Sequence, residues 1–193
     1  MHLKAVKLEK KSGDEEFILS NKKRKLLDFW RWAFSDLIGN TERGVVAEYL
    51  VAVACDLDDN VRIGWDTWDL TLGEIKIEVK SSVYLQTWKQ NKFSDIIFNI
   101  PETISWDYRE NKYGNTRKRH ADVYVFALLA HKVKESLNPM DTTQWEFYVL
   151  NTKTIDRRLG SKKQINLKNV IAIGARKCAF NELKDAIIEK YKE

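Results

Sequence analysis

Residues 69–80 read Asp-Leu-Thr-Leu-Gly-Glu-Ile-Lys-Ile-Glu-Val-Lys. Leu70 and Leu72, then Ile75, Ile77 and Val79, alternate with polar residues, the period-two pattern of two half-buried strands. Gly73-Glu74 between them suits a two-residue type II′ turn, whose first central position needs φ > 0. Counting outward from that turn sets Leu72 against Ile75, Thr71 against Lys76, Leu70 against Ile77 and Asp69 against Glu78. Directly opposed Cβ atoms lie about 5 Å apart, and like charges at that spacing destabilise a sheet unless something positive sits between them. Lys80, two residues past Glu78, shares its face. Two acids and one ammonium on a single patch suit a hard divalent cation bound through oxygen. They equally suit the solvated face of an ordinary hairpin.

Upstream, Asn40 or Thr41 is expected to cap a helix whose Val45, Val46, Tyr49, Leu50, Val53 and Ala54 make a nearly continuous apolar surface as far as Cys55. Glu48 lies within that surface. Burying its carboxylate unpaired would be costly, so it needs a cation or a donor. Arg43, or a lysine from the next layer, would serve as well as a metal. Asp56, Asp58 and Asp59 end the helix, a short strand is expected about residues 61–64, and Asp66, of the wrong parity to join Asp69, reads as a loop residue.

A helix bearing Glu48, then Asp69, an eight-residue gap and Glu78-Val79-Lys80 resembles the PD-(D/E)xK nuclease superfamily, over roughly residues 41–100. Trp68 stands where the name-giving proline would be. The resemblance implies a restriction-endonuclease-like core and metal-dependent hydrolysis of a phosphodiester. In that reading Asp69 and Glu78 hold Mg²⁺ or Mn²⁺, with the backbone carbonyl of Val79 as a further ligand. Lys80 orients the attacking water and stabilises charge on the phosphate, and Glu48 is the helical acid that some members add. Some members also place a glutamine shortly after the lysine; Gln86 is the nearest match, and an ordinary surface amide is an equal reading of it.

Downstream, residues 95–101 read as a strand. Residues 106–120 read as a basic loop in which Arg109, Lys112, Arg117, Lys118 and Arg119 are interleaved with Trp106, Tyr108 and Tyr113. Cations neutralise phosphate and rings touch bases, so this composition suits a nucleic-acid-facing segment. Residues 122–129 form the most apolar strand, expected at the centre of the sheet, with further strands at 145–150 and about 170–173. A closing helix over 177–190 turns Ala179, Leu183, Ala186 and Ile187 inward. At the other end, Ser20 is expected to cap a helix reaching Ile38, closed by Gly39 in the left-handed conformation, after an edge strand near residues 16–19. Lys22, Lys23, Arg24 and Lys25 in its first turn oppose the helix dipole.

The order of elements points to an α/β (α+β) fold, a mixed central β-sheet flanked by helices. A single domain over 1–193 is expected, with a basic helical extension at 1–40, a core at 41–150 and a C-terminal strand and helix at 151–193. Walker-type phosphate loops, nucleophile elbows and zinc spacings are missing, which removes ATPase, serine-hydrolase and zinc-enzyme readings. Cys55 and Cys178 read as buried structural thiols. A net charge of +5 agrees with a polyanionic partner. The expectation is therefore a cytoplasmic endonuclease of restriction or repair type acting on double-stranded DNA, without a membrane partner. Family analogy adds a homodimer, because cutting two strands calls for two sites. The alternative is a non-catalytic nucleic-acid-binding protein on the same fold.

Overall fold

The hairpin forms in the register the turn dictates. In the computed structural model, Leu70 lies opposite Ile77, Thr71 opposite Lys76 and Leu72 opposite Ile75. Gly73 adopts φ 60° and Glu74 does not have a positive φ, as a type II′ turn requires. The structure describes every residue except 1, 2, 4, 65, 108 and 109. The elements are α1 (Leu26–Ala33), α2 (Asn40–Ala54), β1 (Leu70–Leu72), β2 (Ile75–Val83), β3 (Ile97–Asn99), β4 (Thr103–Asp107), β5 (Lys112–Lys118), β6 (Val123–Leu129), β7 (Trp145–Asn151), α3 (Thr152–Leu159), β8 (Gln164–Asn166), α4 (Leu167–Ala172), β9 (Arg176–Cys178) and α5 (Leu183–Lys192).

Five strands make the central sheet in the order β1-β2-β6-β7-β9. β2 and β6 are parallel and the other neighbours antiparallel. β6 is buried at every residue because both faces of the sheet are covered. On one face Ile77, Val79, Val125 and Phe147 pack against Ala47, Leu50 and Val51 of α2 and Leu183, Ala186 and Ile187 of α5. On the other, Tyr124, Phe126, Leu128 and Leu150 meet Phe98, Ile155, Ile165 and Val170. The fold is thus a mixed α+β sheet flanked by helices. Because Val79 faces α2, its neighbours Glu78 and Lys80 project from the opposite face. Among the described residues no helix is long and apolar enough to cross a membrane.

Several local expectations are corrected. The first helix begins at Leu26, not after Ser20: it starts only beyond the four cations, where the Asp28 carboxylate accepts from the Lys25 N–H at 2.9 Å. Residues 16–19 contribute a single bridge, Glu16 to Lys25, rather than a strand. Gly39 has φ −49° and immediately precedes α2, so it opens that helix instead of closing the previous one. The buried residues of α2 are Arg43, Ala47, Leu50, Val51 and Ala52, which leaves Val45 and Tyr49 exposed. A helix apolar on nearly every side does not declare its inner face. No strand forms at 61–64.

Residues 95–101 contribute only β3, which pairs with β8 outside the central sheet. Within the segment read as a loop at 106–120, residues 106–107 and 112–118 belong instead to an antiparallel hairpin, β4–β5, with a register shift between Ile104 and Trp106. Residues 170–173 fall in and just after α4, because the Asn166 side chain accepts from the Asn169 N–H at 2.9 Å and caps a helix there. The last strand is β9, and α5 starts at Leu183, leaving Ala179 exposed. Cys55 and Cys178 are buried free thiols, each pushed up to about 11 by burial.

Candidate functional site

The ladder between β1 and β2 ends in an irregular step at Asp69. Its N–H donates to the Ile77 carbonyl at 3.0 Å, although Ile77 already stands opposite Leu70. Asp69 therefore does not face Glu78 squarely, as regular counting required. Its carboxylate folds back instead, and Oδ2 accepts from the Val79 N–H at 2.7 Å. In effect the side chain supplies the acceptor that the next residue of a longer β1 would have provided. The N–H and C=O of one residue leave a strand at the same edge, so the Val79 carbonyl faces this gap as well. Glu78 sits beside it, ion-paired through Oε1 to the Nζ of Lys80. Tyr124 of β6 is the partner of Glu78 across the parallel ladder.

Burial and then the charges of Glu78 and Glu48 push Asp69 up to about 7, against the opposing pull of Lys80 and the Val79 N–H. For Lys80, burial acts to lower the pKa, but Glu78, Asp69 and Glu48 outweigh it and hold the ammonium above the ordinary lysine range. Glu48, whose side chain is only 13% exposed, is met by Arg62 from the connection between α2 and β1. The guanidinium grips it with both arms, Nε to Oε2 and Nη2 to Oε1, the latter at 2.8 Å. Three carboxylates thus share two cations, and the uncompensated charge settles on Asp69.

Arg43 is not the partner of Glu48. It turns inward and donates to the Ile38 carbonyl at 2.8 Å and to Asn40 Oδ1 at 2.9 Å, its pKa lowered to about 10 by burial. Sequence reading missed Arg62 altogether, since it lies fourteen positions beyond Glu48, past the end of α2 in irregular chain. Gln86 lies past the end of β2, where its amide donates to Ser94 Oγ at 3.2 Å and its N–H to Gln90 Oε1 at 2.6 Å. These bonds shape the loop rather than reach the acids.

A cavity of about 480 Å³ is lined by Asp69 and Glu78 together with Asp66, Thr103, Trp106 and Tyr113. The β4–β5 hairpin is therefore one wall of the acidic site. Thr67 Oγ1 ties it down by donating to the Trp106 carbonyl at 3.1 Å, and the Trp106 and Tyr113 rings lie 4.5 Å apart. Lys112, Arg117 and Lys118 are exposed on β5; Arg109 lies outside the described residues. Arg119 does not belong to this surface. Its side chain is fully buried and donates to the carbonyls of Ile100, Gly160 and Lys162 and to Asp156, so its work is to join the start of β6 to the turn after α3.

Among the described residues, no three His, Cys, Asp or Glu side chains gather as a metal cluster. What the site offers is Asp69, Glu78 and the edge carbonyl of Val79, an all-oxygen set. Mg²⁺ keeps several waters and takes one or two carboxylates, so this small hard set, with its unbalanced negative charge, fits such an ion. Comparison with protein-family models, with curated proteins and with solved structures finds no match.

Proposed function

We propose that the chain is a metal-dependent nuclease of the PD-(D/E)xK kind that hydrolyses phosphodiester bonds in DNA. The observation that carries this reading is the buried Asp69 carboxylate, short of a counter-charge, lining one cavity with Glu78, itself paired to Lys80, against the aromatic wall of the β4–β5 hairpin. Asp69, Glu78 and the Val79 carbonyl would hold Mg²⁺ or Mn²⁺. When bound, such an ion polarises a phosphoryl oxygen and lowers the pKa of its water. Lys80, kept protonated by its carboxylate neighbours, supplies positive charge where the phosphate oxygens become more negative. Lys112, Arg117 and Lys118 neutralise flanking phosphates. Cutting both strands calls for two such sites, so the proposal extends to a homodimer.

A second reading has its own support. Glu48 is already satisfied by Arg62 and Glu78 by Lys80, which is the arrangement expected of a nucleic-acid-binding protein that has no catalytic ion. The deciding experiment incubates purified protein with supercoiled plasmid, linear duplex, single-stranded DNA and RNA, in Mg²⁺, Mn²⁺ or EDTA, beside Asp69→Asn and Lys80→Ala. Metal-dependent cleavage lost in both variants is expected. Binding without cleavage in every metal establishes the second reading.

A further inference from the structure

The acidic site has a neighbour that the proposed chemistry leaves unused. A cavity of about 550 Å³ is lined by Trp68, Trp106 and Tyr113 together with Asp66 and Lys112; clefts that take small ligands run from about 300 to 1,000 Å³. Asp66, Thr67, Trp106 and Tyr113 also line the cavity that reaches Asp69 and Glu78, so the two adjoin.

The rings are held in place. Trp68 donates from Nε1 to Thr71 Oγ1 at 2.8 Å, and the Nζ of Lys76 lies 4.4 Å from its ring centroid. Trp106 is fixed by its contact with Tyr113 and by the Thr67 bond to its carbonyl. A register shift in β4 beside Gly114 brings Ser105 under the hairpin, where a Cβ on Gly114 would collide with the serine hydroxyl. Fixed aromatic faces stack a planar group with little ordering cost. Asp66 adds a carboxylate to the same space, which repels a phosphate and attracts an amino group on a ring.

We infer that this cavity receives a nucleobase bearing an exocyclic amine, turned out of the strand beside the acidic site. The inference rests on reading this face as nucleic-acid-binding and adds a preference: cytosine, adenine and guanine present an amine to Asp66, whereas the one donor of an unpaired thymine, N3–H, lies between two carbonyls that repel a carboxylate. A base inside a duplex must first unstack at a cost of a few kcal/mol, so an unpaired strand enters more readily. The exposed Lys112 stands at the rim, placed for the flanking phosphate.

The test measures fluorescence anisotropy of labelled oligodeoxycytidylate and oligothymidylate in EDTA, in mildly alkaline buffer where cytosine stays unprotonated. Wild type, Asp66→Asn and Trp106→Ala are compared. The cytosine strand should bind about tenfold more tightly, the worth of one hydrogen bond to a charged group. Asp66 is exposed and asparagine matches its shape, so Asp66→Asn should fold normally while bringing the ratio close to one. Trp106→Ala should weaken both strands about tenfold, with Trp106→Phe retaining most of the binding. Equal affinity of wild type for the two strands, or an unchanged ratio in Asp66→Asn, overturns the inference. Because binding is read in EDTA, it is independent of catalysis. Cleavage in Mg²⁺ without base preference removes the base site alone, and base preference without cleavage in any metal supports it while removing the nuclease.

Discussion

Replacing Asp69 by asparagine separates the charge of this residue from its place in the fold. An unfolded aspartate titrates near 3.8, and the native one near 7. Below about pH 4 both forms carry the proton and the group does not affect stability. Between about 4 and 7 the unfolded chain has ionised while the native chain has not, so stability falls as pH rises. Above about 7 the full penalty applies: at about 1.4 kcal/mol per unit, the rise amounts to about 4 kcal/mol. Asparagine does not titrate, and its Oδ1 can still accept from the Val79 N–H. In urea unfolding with EDTA present, the stability of Asp69→Asn relative to wild type should therefore grow by about 4 kcal/mol between pH 4 and pH 8. Differencing the two proteins removes the titration of distant groups. Millimolar Mg²⁺ at pH 8 should return stability to wild type, because a ligand that binds only the native state stabilises it, and should leave the variant unchanged. A gap that stays constant with pH refutes the burial and the crowding of negative charge that raise Asp69, and with them the main support for a cation.

Three further outcomes test the surrounding structure. Arg119→Ala should cost about 1–3 kcal/mol in chemical denaturation, since it leaves the buried Ile100 carbonyl without its donor and unties the more exposed Gly160, Lys162 and Asp156, while under conditions where the variant is folded the proposed DNA binding should keep the wild-type salt dependence. Combined replacement of Lys112, Arg117 and Lys118 by alanine should do the reverse, leaving stability nearly unchanged and lowering the slope of log affinity against log salt by about 2–3. Gly73→Ala meets no atom within 4 Å, so its cost is the φ of 60° alone, about 1–2 kcal/mol by urea midpoint. A neutral Gly73→Ala would mean that the turn is not type II′.

The parts of this molecule legible in sequence are those fixed by neighbours a few residues away. The β1–β2 register follows from one glycine and an alternation, and β6 from a continuous apolar run. What escaped depends on distant chain. Arg119 has the same chemistry as Arg117 and Lys118, and only acceptors contributed by residues 100, 156, 160 and 162 turn it inward. Residues 170–173 carry Val, Ile and Ile, a strand-forming composition, yet the Asn166 cap and the burial of Val170 make a helix. At the site, the presence of Asp69, Glu78 and Lys80 on one hairpin was readable. The Arg62 grip on Glu48 and the hairpin wall were not, because both are made by segments whose irregular or mixed pattern carries no period.

The bond from the Val79 N–H to Asp69 gives one acid two employments, as a charge and as the stitch that closes a strand end. Whether or not the site does chemistry, the strand end needs an oxygen at position 69, and the largely buried Glu78 needs the ammonium of Lys80. Retention of an oxygen at position 69 is therefore no witness to activity, because the fold alone demands it.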